Sequence, residues 1–392
     1  MRAVTVPGRS DVDLDAIGAA SGGWLFVRDG VGLAGLGVAV RVPRAAVART
    51  LASIDHDDGV GVPGCGPVAL GALPFRPGNE GELVVPRVVW GRTADGTNWV
   101  TTIDGADATA PAPRPTTVRA GTYRVGPTGD PEQYRAAVLA ARDAVRAGHV
   151  LKAVIARRVE VEADAPIDLA AVLARLRASF GSSYRYRIGD LVGASPELLV
   201  ERRGRMVRSH PLAGTAPRTG DPATDARLAA GLIASTKDQV EHRVVIDVVN
   251  DTLLPWCSYL DWEAEPSIVT VANVQHLGTA VEGMLSLPAP SVLELVGTLS
   301  PTPALGGHPR AEALALIEAQ EGFDRGRYGG AVGWVDAAGN GTWAVTIRCA
   351  EIDGSRARLY AGGGIVAGSD PDAELAETQA KLQAMLSAIV RP

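Results

Sequence analysis

The hydrophobic and polar positions of this chain change period several times, and each change marks an element. Through residue 104 the apolar residues fall in short runs such as Gly22–Arg28 and Leu83–Trp90, separated by Gly, Pro and Asp. That pattern predicts short strands joined by tight turns. Residues 105–121, rich in Ala, Pro and Thr, read as a loop or linker. At Asp130-Pro131-Glu132 the pattern becomes helical, with an N-cap, a proline at the first helical position and an acid in the first turn. Tyr134, Val138 and Val145 then share a face, and Gly148 marks the stop. Val150–Glu162 predicts a strand and Ile188–Val200 a strand–turn–strand. Asp221–Leu253 predicts one long helical segment, and Trp334–Glu351 a hairpin turning at Asp336–Gly341. Ala361–Val366 reads as a glycine-rich loop before a helix opened by Asp370-Pro371. Strands outnumber helices but interleave with them, so the fold class is α+β with extensive sheet.

Composition narrows the partners. With 392 residues, 46% of them hydrophobic, the chain can build a large core. At about 150 residues per domain, length alone allows two or three domains or one large one. Lys+Arg 38 against Asp+Glu 44 gives a net charge of −6, which argues against a nucleic acid or an anionic membrane as the main partner. A small anionic substrate remains compatible, provided positive charge is gathered locally. Cys65, Cys257 and Cys349 are scattered, with no CxxC or Cys/His spacing, which suits a reduced compartment. Met1–Ser10 holds two arginines and no apolar signal segment. The long uncharged stretch Gly59–Phe75 is broken by Pro63, Pro67 and Pro74, so it does not read as a spanning helix, which needs ~20 apolar residues. A cytoplasmic protein is the expectation.

Two acidic pairs stand out. Asp238 and Glu241 are three apart in one predicted helix, and Glu374 and Glu377 in another. At that spacing each pair shares a face. Two such helices can enclose a hard divalent cation such as Mg²⁺, which prefers oxygen ligands. The same spacing also suits a solvated helix face, and Glu377 with Lys381 an ordinary helix salt bridge. Against the solvated reading, His242 and the apolar Val244, Val245 and Ile246 follow Glu241, as in a half-buried helix. Lys152 sits in an apolar strand, where it either snorkels or is held for use as a base. Glu197 opens the apolar run Leu198-Leu199-Val200, a setting that favours a raised pKa and general-acid work. The three glycines after Ala361 would let backbone amides approach an anion.

Taken together, these segments resemble the chorismate-utilising enzymes. The resemblance is carried by Lys152–Arg157, Gly193–Leu199, Pro211–Thr215, Lys237–His242, Asn273–Leu277, Pro301–Gly307, Phe323–Gly330, Thr346–Ala350, Ala361–Val366 and Glu374–Lys381. It runs in the family's order from about Asp130 to Leu386, and residues 1–125 match only loosely. It implies one large domain with two extensive antiparallel sheets flanked by helices, in which 1–125 is a variable part of the same fold and 126–392 the chorismate-binding region. It also implies Mg²⁺ held by Glu241 and Glu377, with Asp238 and Glu374 acting directly or through water. Arg348, Lys381, Tyr328 and the Gly362, Gly363 and Gly364 amides would hold the substrate carboxylates, and Gly214, Thr215, His276 and Ala304 would line the pocket.

The resemblance also orders the branches of the family. Ammonia-using members typically have Gln at the position of Lys152, and the aminodeoxychorismate branch often has a nucleophilic lysine where Ala213 stands. Nothing resembles a glutamine amidotransferase, and no such partner is expected. Water is then the nucleophile, with Lys152 as general base and Glu197 as general acid. Ala304 in Pro301–Leu305 resembles the isochorismate synthases more than the salicylate synthases, although Ser300 stands where isochorismate synthases commonly have His. Isochorismate synthase, feeding menaquinone or siderophore synthesis, is the expected activity. Salicylate synthase and a non-catalytic chorismate binder are the alternatives. Many relatives are monomers, and a monomer is expected here.

Overall fold

The computed structural model describes residues 1–113, 121–127 and 130–390. Residues 105–113 carry no helix or strand, and the rest of the predicted linker through Ala120 lies outside the described residues. Helix α1 (Pro131–Arg146) starts where Asp130 accepts the Glu132 amide at 3.0 Å. It leads into strand β1 (Lys152–Ala163). β2 (Leu191–Ser195) and β3 (Leu198–Arg203) follow, then β4 (Leu212–Pro217). The predicted single helix over Asp221–Leu253 is in fact two, α2 (Pro222–Ala234) and α3 (Thr236–Leu253). Ser235 adopts extended dihedrals between them, and its hydroxyl accepts the Asp238 amide at 3.2 Å, so it caps α3 rather than continuing α2. β5 (Val274–Gly278), β6 (Ala331–Asp336), β7 (Gly341–Val345), β8 (Cys349–Asp353), β9 (Arg356–Ile365) and α4 (Pro371–Val390) complete the elements that build the site.

Two more expectations need correcting. The predicted turn within Ile188–Val200 falls at Gly189-Asp190, whereas Pro196-Glu197 is a crossover between sheets. Ala361–Val366 is not a loop, because residues through Ile365 are the second half of β9, laddered to β1 from Glu162↔Arg356 to Ala153↔Ile365. Consecutive glycines are poor strand formers, and the reason they are used here lies in the site.

β1, β2, β8 and β9 belong to a thirteen-stranded sheet, β3, β6 and β7 to a nine-stranded one, and β4 and β5 to a three-stranded one. Among the described residues the pairings are antiparallel except Arg2–Pro7 with Asp55–Asp58. Strands from the first 103 residues enter both large sheets. The main core joins Phe26, Leu33 and Ile155 of the larger sheet to Leu70, Val332 and Trp343 of the smaller. A second core seals the outer face of the larger sheet, Val192 and Leu359 included, under α4 and the helix Leu169–Phe180. No helix among the described residues is long and apolar enough to cross a membrane.

Candidate active site

Lys152 and Glu197, the expected base and acid, both stand where strands begin. Lys152 opens β1, and Glu197 occupies the link from β2 in one sheet to β3 in the other. Both are closed off from solvent, at 0% and 2% exposure. Burial pushes the Glu197 carboxyl up to about 7, against the opposing pull of the Leu212 amide and of Lys152, Arg348 and Lys381. A carboxyl that keeps its proton near neutrality can donate it to a leaving group. Lys152 Nζ lies 3.0 Å from Glu241 Oε1 but makes no aligned hydrogen bond among the described residues.

The four acids share one neighbourhood. α3 presents Asp238 and Glu241 and α4 presents Glu374 and Glu377. Burial raises the Asp238 carboxyl, and Glu241 and Glu377 raise it further. Burial and the charge of Glu377 push Glu374 up to about 7. Burial works to raise Glu241 as well, but Lys152, Lys237 and Lys381 outweigh it and hold that carboxyl below its ordinary value. Each of three acids has its own lysine, with Lys152 on Glu241, Lys237 on Glu374 at 2.8 Å and Lys381 on Glu377 at 2.5 Å. The solvated-face reading therefore fails for Glu241 and Glu374, at 8% and 1% exposure. Among the described residues, however, no three carboxylates converge as a ready ligand set.

The donors still fit a hard cation. All four side chains supply oxygen, and crowded carboxylates that raise one another's pKa are relieved by positive charge. Glu374 Oε2 is buried with no partner among the described residues, while Oε1 accepts Lys237 and Ser369, each at 2.8 Å. Lys237 and Ser369 were given no role by the sequence. The signal for Lys237 was its place directly before Asp238; Ser369 carried none.

Arg348, held by the neutral His276, forms the cationic side. Arg348 is buried, and its backbone sits in the left-handed region at φ 51°. Its NH2 donates to His276 Nε2 at 3.0 Å, so His276 carries its proton on Nδ1, 3.1 Å from the Gly214 carbonyl and 3.2 Å from Thr215 Oγ1. Burial, then Arg348 and Lys381, hold the His276 ring well below its usual pKa, which keeps it a neutral acceptor. His276 thus holds Arg348, and Thr215 bonds the far side of the His276 ring. Tyr328 is buried and stacked on Tyr360 at 5.3 Å. Ala304 is half-buried beside the main core, in the loop whose Gly306 carbonyl accepts the Val154 amide near Lys152.

The glycines of β9 exist for space. A Cβ on Gly364 would meet Glu241 Oε1 and lie 2.7 Å from Lys152 Cε, and a Cβ on Gly363 would overlap Glu374 Oε2. One on Gly214 would lie 3.1 Å from Asp238 Cβ. Lys381 also binds the Gly362 carbonyl, at 2.9 Å. Among the described residues, the ladder of β9 to β8 ends at Ala350↔Leu359, short of Gly362–Gly364.

Lys152, Glu197 and the carboxylates of α3 and α4 lie in one neighbourhood, and residues 92–390 match the family model for chorismate binding enzymes. The chain belongs to this family. It is similar to isochorismate synthase DhbC of Bacillus subtilis, 38% identical with 82% of this chain and 81% of that one covered. It is 41% identical to the putative isochorismate synthase MenF of Mycobacterium tuberculosis, covering 83% and 87%. Among solved structures, the putative 2,3-dihydroxybenzoate-specific isochorismate synthase DhbC of Bacillus anthracis superposes with a TM-score of 0.82 at 34% identity, covering 96% and 97%. Anthranilate synthase component I of Streptococcus pneumoniae, at 21% identity and TM-score 0.70, shares the fold of this chorismate-binding enzyme.

Proposed function

We propose that this chorismate-binding enzyme is an isochorismate synthase, moving the hydroxyl of chorismate from C4 to C2. The observation that carries the reading is the buried pair of opposite character, Lys152 and Glu197, beside Arg348. Lys152 takes a proton from the water that attacks C2. The ring double bonds shift, the C4–O bond breaks, and Glu197 gives its proton to the departing hydroxyl, which leaves as water. One water is consumed and one released, so the net change is an isomerisation. Arg348, held by His276, binds a substrate carboxylate, and Lys381 and the Gly362, Gly363 and Gly364 amides supply further positive character.

Glu241 and Glu377, with Asp238 and Glu374, would hold Mg²⁺, which polarises and orients the ring carboxylate when bound. Glu241 Oε1 also lies 3.0 Å from Lys152 Nζ, so base and cation site are coupled through one carboxylate. The relatives' names divide between menaquinone and siderophore synthesis, and the product serves either. The test is turnover of Lys152→Ala and of Glu197→Gln with chorismate and Mg²⁺, each expected to fall by ~10²–10⁴-fold. Near-full activity in either variant removes that residue from the mechanism. Activity that survives EDTA removes the metal.

A further inference from the structure

Among the interior polar atoms that lack partners in the described residues, two lie close together. Tyr134, on α1, is 5% exposed, yet its hydroxyl has no hydrogen-bond partner among the described residues, and Glu374 Oε2 has none either. Leaving a buried donor or acceptor unpaired is costly, and here one of each is left. Both border the point a Cβ on Gly363 would occupy, with Tyr134 Oη at 3.3 Å and Glu374 Oε2 closer still. The two atoms are therefore less than 6.6 Å apart, twice that distance. One water spans such a gap, and a small rotation of the Glu374 carboxylate closes it. Glycine at 363 keeps it clear.

The partners of Glu374 explain why the gap is open. Lys237 and Ser369 both donate to Oε1, which leaves Oε2 without a donor. A divalent ion among the acids competes with Lys237 for that carboxylate. Once Lys237 lets go, a neutral donor behind Glu374 fixes its orientation without opposing the ion's charge. Carboxylates that ligate metals are held by such donors. Burial, then Glu374 and Glu377, hold the Tyr134 phenol well above its usual pKa, so it remains a donor.

We infer that Tyr134 is a positioning residue of the cation site, its hydroxyl donating to Glu374 Oε2 when a divalent ion is bound. The inference rests on the metal reading above, and its test separates the two. Mn²⁺ serves as the probe, with free ion counted by electron paramagnetic resonance and no turnover required. Tyr134→Phe binds Mn²⁺ ~10-fold more weakly than the wild type. The same change made in a Glu374→Gln background shifts affinity less than twofold, because the bond's acceptor charge is already gone; a purely structural role would carry through both backgrounds. The metal-free Tyr134→Phe protein melts no lower than the wild type, since the hydroxyl it loses had no partner. Unchanged Mn²⁺ affinity in Tyr134→Phe, additive losses in the double variant or a lower metal-free melting point each overturn the role of Tyr134. If Glu377→Gln abolishes binding while Tyr134→Phe leaves the affinity unchanged, Tyr134 alone falls. If the wild type binds no Mn²⁺, the metal reading falls with it.

Discussion

Replacing Gly364 by alanine is the sharpest probe of how the site is built, because it adds one methyl at its centre. That methyl would stand 2.8 Å from Glu241 Cδ and 2.7 Å from Lys152 Cε, where ordinary contact begins at 3.4 Å. The strand cannot yield, being laddered to β1 through Val154↔Gly364. The side chains must therefore retreat, Cδ by 0.6 Å and Cε by 0.7 Å, the differences between those distances. The carboxylate moves further, since Oε1 is nearest. The 3.0 Å pair of Lys152 and Glu241 then opens, displacing the base and one donor to the cation together. A misplacement of about 1 Å at reacting groups costs ~10²-fold in rate, close to 2.7 kcal/mol. Overpacking costs ~1–3 kcal/mol in stability, so the variant folds with a lowered melting point. Steady-state chorismate consumption and thermal melting check both. Gly231→Ala in α2 is the control: its Cβ meets nothing within 4 Å, and it should retain full turnover with a stability gain of ~0.5–1 kcal/mol. Turnover of Gly364→Ala within twofold of the wild type would refute the packing argument.

Glu197 gives a pH signature. Its carboxyl keeps its proton to about 7 when folded, against 4.5 ordinarily, so the folded state gains from this group below pH 4.5 and loses that gain as pH rises to 7. Glutamine cannot ionise, so the stability of Glu197→Gln relative to the wild type rises across that window by up to about 3 kcal/mol, measured as melting temperature against pH in metal-free buffer. A pH-independent difference contradicts the buried-acid assignment. His276→Ala removes the acceptor that holds Arg348, a hydrogen bond to a charged group worth ~1.5–3 kcal/mol. The KM for chorismate should rise by ~10-fold or more with a smaller change in kcat, and His276→Gln, which restores an acceptor, should recover part of it. An unchanged KM in His276→Ala would remove His276 from substrate binding.

Much of the site was legible because its chemistry sits in short contiguous motifs. Lys152 in an apolar strand, Glu197 before an apolar run, and paired acids at helical spacing are local facts, and the structure brings them to one place. What the sequence misjudged depends on the third dimension. Gly362, Gly363 and Gly364 look like a loop because glycine is a poor strand former. They are strand because β1 ladders them, and 363 and 364 are glycine because carboxylates on α4 and α3 leave no room for a Cβ. Ser235 looks like a residue within a helix, and only its extended backbone reveals it as a cap. Ser369 and Tyr134 carry no signal of a role, since their meaning lies in their approach to Glu374 in space. The first 103 residues show strand rhythm but not its destination, because pairing across two large sheets is a long-range choice.

The central claim is tested most directly by incubating the purified protein with chorismate and Mg²⁺ and separating the products by chromatography. The account predicts isochorismate at equilibrium with chorismate, no pyruvate, and no conversion after EDTA until Mg²⁺ is restored. Salicylate with equimolar pyruvate, or chorismate left unconsumed, would contradict it.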